Sequence, residues 1–272
     1  MNLEQLIDNT KLIINQKLND LIKDDDKNLT KAIKYSLLCN GKRLRSLLVM
    51  ETAKLFSSTN EEDLITVACA VEMIHIFSLI HDDLPCMDND DYRRGELTCH
   101  KKFNEYDALL AGDSLIPLCF ETILTKTKIL TSEEKCKIIE IISKAIGYKG
   151  MCLGQSLDMD FANNDKSKSS KEAEEINILK TGYLFEACIK IGCILGKANE
   201  KEEKNLIEYS LNFGKAFQLA DDLKDSEINS NETQLVKDKI KLFVKNCINN
   251  LNELKKNINN LKIISEYCLK DL

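Results

Sequence analysis

Apolar and polar positions recur with a period near 3.6 along almost the whole chain, the spacing that gives an α-helix one greasy side. Helices are expected on this pattern over 2–22, 29–39, 42–57, 61–83, 104–127, 132–148, 150–160, 170–196, 201–225, 235–248 and 250–270. Several starts carry a Ser or Thr followed three residues on by Glu, the pair that caps orphan backbone amides reciprocally. Thr59 with Glu62, Thr131 with Glu134 and Ser169 with Glu172 have this form. Polar, aperiodic stretches interrupt at Lys23 to Asn28, Asp88 to Phe103 and Phe161 to Ser170, and the acidic run Asp24, Asp25, Asp26 in the first reads as a solvated turn. Leu64 to Ile80 differs from the rest: it is apolar on nearly every side, with Glu72, His75 and Ser78 as the polar interruptions. A helix of that kind belongs in a core. It ends on two adjacent carboxylates, Asp82 and Asp83, which need partners if buried.

Composition supports helix. Ten Gly and two Pro in 272 residues leave few turns, and Trp is absent. With no linker-like segment and no tandem repeat, the expectation is an all-α chain forming a single domain over 1–272. A net charge of -6 provides no basic field for nucleic acid, so an anionic ligand must be met locally. Eleven cysteines, an odd number without a CxxC pair, read as small reduced core residues of a cytoplasmic protein. Met1 to Lys23 holds no unbroken apolar stretch, so neither a signal peptide nor a stable membrane anchor is expected.

Two acidic clusters could carry chemistry. Asp221 and Asp225 lie one helical turn apart, roughly 40° around the axis, with Asp222 beside them. They are either a solvated helix end or ligands for a shared divalent cation, with oxygen donors suited to magnesium. In the other cluster, Asp82, Asp83 and Asp88, an unbroken helix would turn Asp88 about 240° from Asp82, and Pro85 offers a reason for the helix to distort. Aspartate clusters loaded with magnesium suit a diphosphate, whose oxygens bare carboxylates would repel. Basic groups are at hand in Gly41-Lys42-Arg43-Leu44-Arg45, Arg93-Arg94, His100-Lys101-Lys102 and Lys180-Thr181-Gly182. If a helix starts near Gly41, its positive end disfavours those cations unless an anion docks there; the alternative is a solvated basic turn. His75 precedes Asp82 by seven residues, roughly 20° away around the helix, and is either a satisfied core histidine or an anion contact.

These motifs together resemble the trans-isoprenyl diphosphate synthases, most of all the short-chain, bacterial-type farnesyl diphosphate synthases. The matching residues are Gly41 to Arg45, Ile74-His75, Ser78 to Pro85, Met87-Asp88, Arg93 to Gly95, His100 to Phe103, Leu110 to Asp113, Gly154-Gln155, Lys180 to Gly182, and Phe217-Gln218 with Asp221-Asp222. The resemblance implies a helical bundle around a central cavity, a homodimer, and Mg2+-dependent head-to-tail prenyl transfer between small diphosphate substrates. It implies that Asp82, Asp83, Asp88, Asp221, Asp222 and Asp225 bind magnesium on the allylic diphosphate. Arg93, Lys180, Thr181 and Gln218 match the allylic diphosphate contacts; Gly41, Lys42, Arg45, His75 and Arg94 match the isopentenyl diphosphate site. Phe77, with Ser78 beside it, sits where relatives limit chain length, although ordinary packing suits Phe77 as well. That pattern implies farnesyl diphosphate as the main product and geranylgeranyl diphosphate as the alternative. The segment Ser226 to Val236 is shorter than the family's usual loop and lacks Gly and Lys, with Lys237 as a weak downstream substitute. Ser46 replaces the usual Pro, a change read as harmless. A class I terpene cyclase would leave Lys42, Arg45 and His75 without a purpose, and a non-catalytic subunit of a heteromeric synthase would not be expected to keep both clusters.

Overall fold

A computed structural model describes residues 2–163, 170–224 and 233–270. They form helices α1 (Leu3–Leu21), α2 (Asn28–Leu38), α3 (Leu44–Ala53), α4 (Glu61–Asp82), α5 (Cys99–Lys102), α6 (Glu105–Lys126), α7 (Ser132–Ile146), α8 (Met151–Asn163), α9 (Ser170–Asn177), α10 (Tyr183–Gly196), α11 (Glu200–Lys224), α12 (Thr233–Asn252) and α13 (Asn259–Glu266). The all-α expectation holds. Among the described residues only a hairpin of two-residue strands departs from it, with β1 (Tyr92–Arg93) antiparallel to β2 (Glu96–Leu97). Its loop is Arg94-Gly95, with φ of 56° and 85°, the doubly positive turn that matches the twist of tight hairpins. Strands this short leave no alternation to read in the sequence.

The helices gather into two compact units, one comprising Glu4–Met50 and Asn60–Ile139, the other Met1–Leu3, Glu51–Thr59 and Glu140–Leu272. In the first, α4 packs against α6 and α2. Its residues from Thr66 to Phe77 are all buried, as an all-round apolar helix requires. The cap of α4 is Asn60, whose side chain accepts from the Asp63 amide at 2.9 Å, and not the expected Thr59. The Thr59 hydroxyl instead donates to the Ala53 carbonyl at 2.9 Å. The Thr131–Glu134 box forms as expected, with the Glu134 amide donating to Thr131 Oγ1 and the Thr131 amide to Glu134 Oε2; Ser169 of the third box lies outside the described residues. Where α4 meets α6, a Cβ on Gly112 would come within 2.2 Å of His81 Nε2, so only glycine admits the imidazole there. His81 Nε2 also lies 3.1 Å from the Leu109 carbonyl.

In the second unit α11 packs on α12 and α10. Tyr209, Phe213 and Phe217 fall one turn apart on α11 and meet Phe185 and Tyr267, the Phe185–Phe213 rings edge to face at 5.2 Å. The expected continuous helix over 170–196 is interrupted by a π-helical turn, Ile178–Gly182. The helix expected to end at 248 runs on to Asn252, because buried Leu251 continues its apolar side. Lys255, at a φ of 52°, lies in the connection before α13 begins at Asn259, so the expected helix from 250 starts late.

Both α4 and α6 are long and apolar enough to cross a membrane; 78% of the apolar window of α4 is buried inside the protein, against 39% for α6. The uncovered side of α6 includes Tyr106, Leu109, Leu110 and Leu124. All eleven cysteines are free thiols. Seven are buried, and burial raises Cys268 to about 12. Cys86, Cys136 and Cys152 are exposed, correcting the expectation that all are core residues; short apolar runs around a cysteine do not show which side of a helix it occupies.

Buried Asp63, in the first turn of α4, accepts from the amides of Lys128, Ile129 and Leu130 at 2.7, 2.8 and 2.9 Å. Asp63→Ala removes all three bonds and should lower stability by about 2 to 4 kcal/mol, with Asp63→Asn losing less. Urea denaturation checks this, and a loss below about 1 kcal/mol in the alanine variant would contradict it.

Candidate active site

Helix α4 ends at Asp82, and the chain then folds back on itself. The Leu84 amide donates to the His81 carbonyl, the Met87 amide to that of Leu84, and the Asp88 amide to that of Asp82 at 2.9 Å. Pro85 sits exposed in this turn, and Asn89 takes a φ of 54°. Because the helix stops, the angular obstacle between Asp82 and Asp88 disappears. Asp82 is half-buried and Asp88 exposed, whereas Asp83 is buried and engaged by Arg93, with Nε at 2.6 Å and an Nη at 2.5 Å from one carboxylate oxygen. Burial pushes the Asp83 carboxyl above its usual range, and the Arg93 hydrogen bond opposes that shift. Arg93 also reaches Asp90 at 3.3 Å. Among the described residues no three His, Cys, Asp or Glu side chains converge on one point. One or two hard carboxylates with room for water and phosphate oxygens is the donor set magnesium accepts, so the residues present fit that ion.

The expected isopentenyl residues gather in the same unit. A Cβ on Gly41 would fall 2.2 Å from an Arg94 Nη atom, so the missing side chain makes the space that Arg94 fills. Arg94 donates to the Asn40 carbonyl at 3.0 Å. Lys42 is exposed just before α3, and Arg45 lies in its first turn, so these cations do stand at a positive helix end. Arg45 Nη1 lies 3.2 Å from His75 Nε2. A guanidinium only donates, so Nε2 accepts and the proton belongs on Nδ1, a buried atom with no partner among the described residues. Burial, then Arg45, Arg94, Arg43 and Arg93, hold His75 well below the ordinary histidine value. The imidazole therefore stays neutral among four guanidinium groups, and its ordered link is the one to Arg45.

In the second unit, Lys180 lies in the π-helical turn and is ion-paired with Asp158 of α8. A Cβ on Gly154 would come within 2.7 Å of Leu179 Cβ and 2.8 Å of the Lys180 nitrogen, so the Gly154-Gln155 motif serves close helix approach. Thr181, next to Lys180, is half-buried. On α11 Gln218 Nε2 donates to Asp222 Oδ1 at 2.8 Å, and Asp221 is exposed. Asp225 and the start of the shortened segment lie outside the described residues; α12 begins at Thr233 and carries a half-buried Lys237. Sequence reading missed Asp158 as the partner of Lys180, and Glu72 and Asn15 as partners of Arg43. Their one signal is a polar residue at a helix position that burial makes expensive.

The chain matches the model of the polyprenyl synthetase family over residues 26–241, and it belongs to that family. A farnesyl diphosphate synthase of Buchnera aphidicola subsp. Schizaphis graminum is 38% identical, with 99% of each chain covered. A chloroplastic geranylgeranyl pyrophosphate synthase of Catharanthus roseus is 40% identical over 80% of this chain and 61% of its own. Among solved structures, an FPP/GFPP synthase from Zymomonas mobilis superposes with a TM-score of 0.91 at 31% identity, covering 98% of both chains.

The His75 geometry has a consequence for pH. The unfolded chain takes up a proton as the pH falls through about 6.5, while folded His75 stays neutral, so its contribution to stability is full above that pH and declines below it. Nitrogen-15 NMR of the ligand-free protein should report a neutral Nδ1–H tautomer from about pH 8 to about pH 6; a His75 resonance titrating near 6.5 would contradict this.

Proposed function

We propose that this chain is a prenyltransferase that joins isopentenyl diphosphate head to tail to dimethylallyl or geranyl diphosphate, with farnesyl diphosphate as its main product. One observation carries the proposal: the chain beyond the end of α4 folds back from Asp82 to Asp88, with Arg93 on Asp83 and with Arg45, Arg94 and a neutral His75 in the same unit. The Buchnera aphidicola relative bears the matching name. Asp82, Asp83 and Asp88 in the first unit would hold magnesium, and Asp221, Asp222 and Asp225 are assigned the same kind of ligand in their own cluster. When bound, the metal supplies neutralising charge to diphosphate oxygens. Lys42, Arg45, His75 and Arg94 grip the isopentenyl diphosphate and orient its double bond. Arg93 in the first unit, and separately Lys180, Thr181 and Gln218 in the second, are assigned to the allylic diphosphate, where cations and donors would stabilise the charge gathering on its bridging oxygen as the carbon–oxygen bond breaks. The isopentenyl double bond attacks the allylic cation, and a proton lost to the departing pyrophosphate restores neutrality.

Product length is assigned to Phe77. It is buried, packs edge-on against His81 with centroids 5.7 Å apart, and precedes Asp82 by about 7.5 Å along the axis. Ser78 turns its hydroxyl back to the His75 carbonyl, leaving the ring as the bulky group. The purified chain should release pyrophosphate from isopentenyl and geranyl diphosphates with magnesium, and Asp82→Ala should reduce turnover by at least about 100-fold. Absence of turnover in the unmodified chain sinks the proposal. In the same assay Phe77→Ala should shift products toward twenty carbons or more; an unchanged distribution removes Phe77 from this role and favours the geranylgeranyl reading suggested by the Catharanthus roseus relative.

The functional unit is proposed to be a homodimer joined through α6. Tyr106, Leu109, Leu110 and Leu124 on that helix are 64, 45, 47 and 48% exposed, an apolar surface that a second copy would cover. Sedimentation equilibrium should return twice the chain mass, and Leu110→Glu should shift it toward one; a monomer at micromolar concentration refutes the dimer.

A further inference from the structure

The basic run Lys42-Arg43-Leu44-Arg45 contains one cation that differs from the other two. Arg43 has a side chain with no exposure, and Lys42 before it is exposed. Its φ is 52°, a left-handed conformation uncommon for a long side chain, and its carbonyl accepts the Leu47 amide at 2.9 Å, opening α3. Its fork is spread over three helices. Nε donates to Asn15 Oδ1 of α1 at 2.9 Å, Nη1 to Glu72 Oε1 of α4 at 3.2 Å, and Nη2 to the Leu37 and Cys39 carbonyls at the end of α2, at 2.7 and 3.0 Å. The second oxygen of Glu72 accepts from Ser46 of α3 at 3.0 Å, a bond that the family's usual proline could not make. The change at position 46 is therefore part of a buried network.

We infer that Arg43 is a positioning residue for isopentenyl diphosphate: it never touches the substrate, but its buried fork pins the bend that presents Lys42 on one side and Arg45 on the other. The inference rests on the function proposed above. A guanidinium without solvent access cannot reach a diphosphate, so proximity to Lys42 and Arg45 is no ground for grouping it with them. Its planar fork meets four acceptors in fixed directions, at once satisfying the last carbonyls of α2 and the buried charge of Glu72. A lysine keeps the charge and loses the fork. The competing view is that Arg43 merely neutralises Glu72, and it makes a different prediction, because a buried ion pair can be replaced by apolar groups without loss of stability.

The test compares the unmodified chain, Arg43→Lys, Arg43→Met and the double variant Arg43→Met with Glu72→Met. Calorimetric Kd values for isopentenyl and geranyl diphosphates are read beside turnover and thermal midpoint. Arg43→Lys and the double variant should bind isopentenyl diphosphate roughly tenfold or more weakly, with geranyl diphosphate affinity changed by less than about twofold. The double variant should also regain the thermal midpoint lost in Arg43→Met. Isopentenyl affinity restored together with the midpoint, or both affinities falling in parallel, overturns the inference. Failure of the function proposed above is read separately, as an unmodified chain that binds the diphosphates and turns neither over.

Discussion

Burying α4 creates the obligation around which the first unit is arranged. The helix carries Asp63, Glu72 and, at its C-terminal cap, Asp83 into surroundings where an unpaired charge is very costly. Each is answered: Asp63 by three backbone amides, Glu72 by Arg43 and Ser46, Asp83 by Arg93. The partners come from the loops and helices around α4, so satisfying its charges also fixes where those loops lie. The basic chemistry at the end of α4 is thus a product of solvation as much as of ligand recognition.

The groups assigned to diphosphate binding are already engaged before a substrate arrives. Arg93 is held by Asp83, Lys180 by Asp158 and Gln218 by Asp222. Under the proposed function such pairing would leave less ordering to be done when an anion binds, the condition under which electrostatic stabilisation is strongest. His75 differs in kind, since its protonated nitrogen has no partner among the described residues and its ring stays neutral amid guanidinium groups. It adds no buried charge to those already present.

Glycine serves these arrangements at two positions by what it lacks. At Gly41 an absent Cβ makes room for Arg94, and at Gly154 it lets α8 approach the turn that holds Lys180. Both glycines stand inside motifs legible by resemblance, yet neither needs to touch a ligand to matter.

Helical periodicity and scarce Gly and Pro were enough to establish an all-α chain, a central α4 and most helix positions, because local apolar spacing records which side of a helix is covered. The aspartate clusters and the basic run were likewise visible as candidate chemistry, since like charges set side by side signal either solvent or a counter-charge. The partners of those residues were not visible. Asn15, Leu37 and Glu72 are 28, 6 and 29 residues from Arg43, and nothing local to Arg43 shows that it is the buried one among three neighbouring cations. Nor could spacing alone reveal that a π-helical turn carries Lys180, because such a turn is a backbone departure from the period on which the reading depends. Periodicity is a local property of the chain, whereas the partner of a buried charge is chosen by whichever distant segments the fold packs against it.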